Sequence, residues 1–132
     1  MMTKVIFACV HNAGRSQMAA AFFNTLASPE RARATSAGTQ PAPSVHPLVI
    51  QVMNEIGIDI SRQRPQALTE ALAKDSQLLV TMGCGDECPY VPGLERDDWP
   101  LEDPKDRPID VVRRIRDDVR DRVTALIRSK GW

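Results

Sequence analysis

With 132 residues, of which 42% are apolar and 26% charged, the chain has the ordinary balance of a single soluble globular domain, expected to span residues 1–132. Seventeen basic side chains match seventeen acidic ones, so no cationic excess exists to drive binding to nucleic acid or to an anionic membrane. The longest apolar runs, 5–10 and 18–23, are too short to span a bilayer, and no secretory signal pattern opens the sequence. A cytoplasmic monomer is expected.

Lys4–Ala8 is a short β-branched and aromatic run and reads as a buried strand. Ser16–Leu26 is helical in composition, with Met18, Ala19, Phe22, Phe23 and Leu26 on one face. Arg33–Ala37 is a weaker strand candidate before Gly38. Pro47 suits the first turn of a helix carrying Leu48, Val49, Val52, Met53 and Ile56, with Gly57 as its stop. Leu68–Ala73 is a short helix candidate and Leu78–Met82 an apolar strand. From Gly83 to Pro108 turn residues recur without periodicity, which reads as long functional loops. Ile109–Ile127 is the clearest helix, with Val112, Ile115, Val119, Val123 and Leu126 as its buried stripe. The Arg and Asp residues elsewhere on it read as a solvated face with i,i+4 pairs.

Strands that alternate with helices predict an α/β fold with a mostly parallel sheet covered on both faces. Ligands of such sheets sit beyond the carboxyl ends of the strands. The loops that leave those ends, after Ala8 and after Met82, hold all three cysteines, Cys9, Cys84 and Cys88. An odd, low count argues against a disulfide framework.

The segment Cys9-Val10-His11-Asn12-Ala13-Gly14-Arg15-Ser16 follows the first strand and opens the first helix. Backbone N–H groups in such a turn form an anion nest, and the helix N-terminus adds its positive end. Gly14 relaxes the steric limits on the turn. Arg15 offers a planar fork to two oxygens of a tetrahedral oxyanion. The same groups would stabilise a thiolate at Cys9. Ser16 is placed to donate a hydrogen bond to that sulfur, and Asn12 to pin the loop. No role falls to the His11 side chain, which is expected to point outward.

Cys-x5-Arg-Ser followed by Gln-Met-Ala resembles the low-molecular-weight tyrosine phosphatase family, and more closely its thioredoxin-coupled arsenate reductase branch. Further landmarks occur in family order: Ser36-Ala37-Gly38, Gly57-Ile58-Asp59-Ile60-Ser61, Val80-Thr81-Met82, Cys88-Pro89 and Glu102-Asp103-Pro104. The resemblance implies a four-stranded parallel sheet flanked by helices, a flavodoxin-like three-layer fold. It implies Asp103 as general acid, although an aspartate before proline is also an ordinary turn residue.

Phosphate and arsenate share shape and charge, so the Cys9 loop does not separate a phosphatase from a reductase. A phosphatase of this type has no use for Cys84 and Cys88. Members that hydrolyse phosphotyrosine carry aromatic residues after the Asp-Pro pair, where this chain has Lys105 and Asp106. The reductase reading has Cys9 attack arsenic, Cys84 attack the Cys9 sulfur, and Cys88 attack Cys84, with thioredoxin resetting the final disulfide. Phosphate and sulfate would compete with arsenate. No bound cofactor is implied.

Alternatives remain at this stage. One is a tyrosine phosphatase. Another is a reductase served by an external small thiol such as mycothiol, suggested by the short Cys84–Cys88 spacing. A third is an oxyanion-sensing module without turnover. Cys84 and Cys88 can also be read as structural, or as zinc ligands with His11 or His46, although no second cysteine pair completes such a site. Some family members bind potassium beside the loop. The positions of its acidic ligands hold Ala20 and Gln66 here, and Asn12 and Ser36 alone are too few, so no metal is expected.

Overall fold

The strand that carries the cysteine is apolar on both sides because it lies in the middle of a sheet. The computed structural model describes residues 2–83 and 93–132. Its elements, in chain order, are β1 (Thr3–Cys9), α1 (Arg15–Leu26), β2 (Ala32–Gly38), α2 (Pro47–Asn54), α3 (Glu70–Lys74), β3 (Leu78–Thr81), β4 (Glu95–Asp98) and α4 (Ile109–Lys130). The four strands are ordered β2-β1-β3-β4, and every pair is parallel.

Alternation along β1 divides the core. Val5, Phe7 and Cys9 face the larger cluster, built with Met18, Phe22 and Phe23 of α1, Val49, Val52 and Met53 of α2, and Val112, Ile115, Val119 and Val123 of α4. Ile6 and Ala8 face the other side, with Ala37 and Leu79, and Leu72 of α3 packs against them. Helices therefore cover both faces, giving the expected three layers. Phe7 is fully buried and meets the rings of Phe23 at 6.0 Å and Trp99 at 5.6 Å. Truncating such a side chain to alanine typically costs about 3–5 kcal/mol.

Several boundaries follow local chemistry. Thr69 caps α3 by accepting from the Leu72 N–H at 3.1 Å. Beyond α2, Gly57 has φ +82°, its N–H donates to Asn54, and the Ile58 N–H reaches back to Met53, which closes the helix as a Schellman turn.

The fourth strand departs from the sequence reading. Glu95–Asp98 lies within the span expected to be loop, yet it pairs with β3 along its whole length. All four of its residues are exposed. An edge strand of charged residues carries no apolar alternation, and its pairing with β3 holds it in place.

Two apolar expectations also fail. Leu26 is 48% exposed because α1 ends as its face leaves the core, and Leu48 is 37% exposed in the first turn of α2. On α4 the last buried position is Ile127, with Leu126 half-buried. Its charged face is not uniformly solvated. Arg116 is buried and donates to the Val52 carbonyl at 2.9 Å and to Glu55 at 3.0 Å, while Arg113 meets Glu55 at 2.6 Å. These bonds fasten the end of α2 to α4. Among the described residues no helix is long and apolar enough to cross a membrane.

Candidate active site

The chain passes from β1 to its neighbour β2 on one side and later to β3 on the other, so the sheet's switch point lies at the carboxyl end of β1. Cys9 ends that strand, and Arg15 begins the helix after it. The loop between them is shaped by what its carbonyls bind. The Cys9 carbonyl accepts from the Thr39 N–H, Val10 from Gln40, His11 from Ala42 and Ala13 from His46. The Asn12 carbonyl accepts from Gln17 Nε2 at 3.0 Å. In a trans peptide the carbonyl and the next residue's N–H point in opposite directions, and the described residues hold no cis bond. Five consecutive outward carbonyls, Cys9 to Ala13, therefore turn the N–H groups of residues 10 to 14 inward. No side chain caps α1 and its first turn carries no acid, so the positive helix end faces the same space. Such a cradle suits an anion.

The positive φ in the turn belongs to Asn12, at +51°, while Gly14 stands at φ −142° and ψ −92°, outside the regions that residues with a side chain favour. Asparagine tolerates positive φ best among residues with a side chain. Its own contacts hold it there. Asn12 is fully buried, its Nδ2 donates to Ser16 Oγ at 2.7 Å, and its Oδ1 accepts from the Gln66 N–H at 2.9 Å and from Gln17 Nε2 at 3.2 Å. Gly14 also meets a steric demand. A Cβ there would lie 2.7 Å from Pro104 Cγ, so glycine lets the 103–104 segment close over the loop.

Cys9 Sγ lies 2.9 Å from Ser16 Oγ. Because that oxygen already accepts from Asn12, its proton is free to point at the sulfur. Cys9 is buried, 2% exposed, as a free thiol. Arg15 is 6% exposed. Its Nη1 donates to the Leu101 carbonyl at 3.1 Å, and Nη2 lies 3.6 Å from Asp103 Oδ2. Its Nε is buried and, among the described residues, has no partner. A buried guanidinium N–H left open this way is costly unless a ligand satisfies it. Asp103 is held by the Lys105 N–H, which donates to Oδ1 at 3.0 Å.

The residues 9–16 and Asp103 thus come together. Cys84 and Cys88 lie outside the described residues. The His11 Nδ1–H donates to the Gln40 carbonyl at 3.2 Å, so this side chain points out of the cradle, as expected. The sequence reading gave no role to Gln17, Leu101 or Gly83, and weighed Gln66 only against a potassium ligand. Gln17 stood within the Gln-Met-Ala landmark, which was a usable signal. Leu101 and Gly83 act through backbone, and no side-chain pattern announces that. The Gln66 amide donates to the Ser36 carbonyl at 2.8 Å. No cluster of three or more His, Cys, Asp or Glu occurs among the described residues.

Beside the loop, a cleft of about 240 Å³ is lined by His46, Pro47, Leu48, Val49, Pro104, Lys105 and Asp106. Burial holds the His46 imidazole below its ordinary value of 6.5, partly offset by the Asp103 carboxylate. Titrated by NMR, His46 is expected to protonate below 6.5, and Asp103→Asn to move it lower still by removing the offset. The unfolded chain takes up this proton first, so the contribution to stability is present above 6.5 and is lost as pH falls through the folded value.

A strand-ending cysteine and an arginine six residues on, joined by an inward-facing amide loop on a parallel sheet, are the marks of one class of proteins. The family model for low molecular weight phosphotyrosine protein phosphatases matches residues 4–130, and the chain belongs to that family. Relatives within it include proteins named arsenate reductase. The chain is 40% identical over 129 residues to the glutaredoxin arsenate reductase of Synechocystis, covering 96% of this chain and 97% of that protein. It is 33% identical over 125 residues to the arsenate reductase of Staphylococcus aureus, covering 90% and 93%. Among solved structures, a thioredoxin-dependent arsenate reductase of Corynebacterium glutamicum superposes with a TM-score of 0.84 at 39% identity. That match covers 97% of this chain and 61% of the longer one.

Proposed function

We propose that the protein reduces arsenate to arsenite, with Cys9 as nucleophile and with Cys84 and Cys88 carrying the electrons out. The amide cradle and the open Nε of Arg15 support oxyanion binding, but a phosphatase would share them. The observation that carries the reductase reading is the position of Gly83. A Cβ on it would lie 2.5 Å from Arg15 Nη1, so the segment bearing Cys84 and Cys88 begins against the oxyanion cradle. Two further thiols in the sequence after Gly83 suit reduction and serve no step of phosphate hydrolysis. The cleft after Asp103-Pro104, whose lining has no phenylalanine, tyrosine or tryptophan to stack on a phenol, favours the same reading.

The Cys9 thiolate forms a bond to arsenic, and one oxygen leaves as water after protonation by Asp103. Attack by the Cys84 thiolate on Cys9 Sγ makes a Cys9–Cys84 disulfide and breaks the sulfur–arsenic bond. The bonding pair stays on arsenic, which becomes arsenite. Cys88 then attacks Cys84 Sγ, releasing Cys9 and leaving a Cys84–Cys88 disulfide. Thioredoxin supplies the two electrons that reopen it. The Corynebacterium relative is named for thioredoxin and the Synechocystis relative for glutaredoxin. Two internal thiols besides Cys9 favour a protein dithiol over a small external thiol. The enzyme acts without a bound cofactor, as a cytoplasmic monomer.

A disulfide map by mass spectrometry after one arsenate turnover without reductant tests this. The expected product is a Cys84–Cys88 bond with Cys9 free. An arsenic adduct confined to Cys9 would replace the internal cascade with an external thiol. Steady hydrolysis of a phenyl phosphate, with no arsenite formed under any thiol system, would make the protein a phosphatase.

A further inference from the structure

Arg15 can serve as a fork only if the right edge of its guanidinium faces the anion. One end of that group is fixed. Nη1 donates to the Leu101 carbonyl at 3.1 Å, and on another side it touches the Gly83 backbone so closely that a Cβ would come to 2.5 Å. The same Cβ would stand 3.5 Å from Arg15 Cζ and 3.8 Å from the Leu101 oxygen. Nη1 is thus held between two backbone elements, the end of β3 and the segment after β4. What remains is the Nε–Nη2 edge. Nε is buried and open among the described residues, and Nη2 lies 3.6 Å from the half-exposed Asp103.

We infer that Gly83 is a positioning residue that sets the guanidinium of Arg15 so that its Nε–Nη2 edge meets the oxyanion. The proposal rests on reading the Cys9 loop as the oxyanion site. It does not depend on which oxyanion chemistry follows. Gly83 has φ +91°, a conformation that a side chain also strains. The test must therefore separate the displaced guanidinium from backbone strain.

Inorganic phosphate is the probe. Its protection of Cys9 against iodoacetamide, quantified at that cysteine by mass spectrometry, measures binding in the whole chain without any turnover. Gly83→Ala is expected to weaken phosphate about ten- to a hundred-fold, the scale of a lost charge-assisted contact. Arg15→Lys removes the fork and leaves space beside Gly83. In that background, adding Gly83→Ala should change phosphate binding by less than about threefold, since the two positions are coupled. Gly83→Asn tolerates positive φ better and carries the same Cβ, so it is expected to match Gly83→Ala and stands in for it should that variant not fold. Unchanged phosphate binding in the Gly83 variants would overturn the inference. So would an equal loss in the Arg15→Lys background, because strain alone would then explain it. Should the wild-type chain bind phosphate but never reduce arsenate, the reductase reading fails and the role of Gly83 stands.

Discussion

Replacing Cys9 with serine is expected to remove thioredoxin-linked NADPH consumption on arsenate down to background, a loss on the order of 10⁴–10⁶-fold. The reason lies in what the sulfur has to do. It must be an anion at neutral pH to attack arsenic, and it must then accept attack by a second thiolate and leave arsenic its electron pair. An alcohol oxygen does neither. The surrounding structure should survive the change. Oγ of the new serine would sit near Ser16 Oγ, which already accepts from Asn12 and has a proton to donate. The inward amides of residues 10 to 14 are set by carbonyl partners outside the loop, and none involves the Cys9 side chain. Phosphate binding, followed by calorimetry, should therefore stay within a few-fold of wild type while turnover disappears. Substantial arsenite production by Cys9→Ser would remove the covalent step from the mechanism.

Arg15→Lys is expected to lower kcat/KM for arsenate by about 10²–10³-fold, the range for loss of a preorganised donor aimed at developing charge. Charge is kept in this variant, so geometry alone is at stake. The guanidinium spans three jobs at once. It anchors on Leu101 through Nη1, pairs with Asp103 through Nη2, and presents a buried Nε that nothing among the described residues satisfies. An ammonium is a point donor and cannot hold the Leu101 carbonyl while offering two parallel N–H groups to an anion. A buried Nε without a partner is unfavourable, and an oxyanion satisfies it. That difference favours the bound state, and lysine lacks it. Steady-state kinetics on arsenate, with phosphate as a competitive inhibitor, should show both the turnover loss and a weaker inhibitor constant. A variant with kcat/KM within threefold of wild type would refute the fork.

The features legible in the chain were those made by neighbours in sequence. The Lys4–Ala8 run, the Cys9–Ser16 loop and the α1 start adjoin one another in the chain, and their chemistry is local: a β-branched and aromatic run, a turn, a helix opening. The α4 stripe was equally clear, because 3.6-residue periodicity held over five turns. β4 was invisible for the opposite reason. Glu95–Asp98 has no strand pattern, and only its place beside β3 makes it one. Leu26 and Leu48 kept the helical period, but where a helix end lies against its neighbours decides burial, and period alone does not report it. Gly14 was assigned to the turn because glycine commonly adopts unusual backbone angles. Its angles, φ −142° and ψ −92°, agree with that, but the positive φ lies at Asn12, and Gly14 also makes room for Pro104, ninety positions later in the chain.

Composition, order of elements and the spacing of Cys9 and Arg15 were enough to read an α/β protein with an anion loop, since each depends on bonds among adjacent residues. How that loop is made rigid and aimed required the folded chain. Asn12 is locked by Gln17 and the Gln66 backbone, and Arg15 is placed by Gly83 and the Leu101 carbonyl. These partners meet because the sheet order β2-β1-β3-β4 brings the ends of β1 and β3 side by side and returns the segment after β4 over them. Backbone carbonyls and missing side chains leave no mark in a sequence, so contacts made by them are decided by tertiary structure alone.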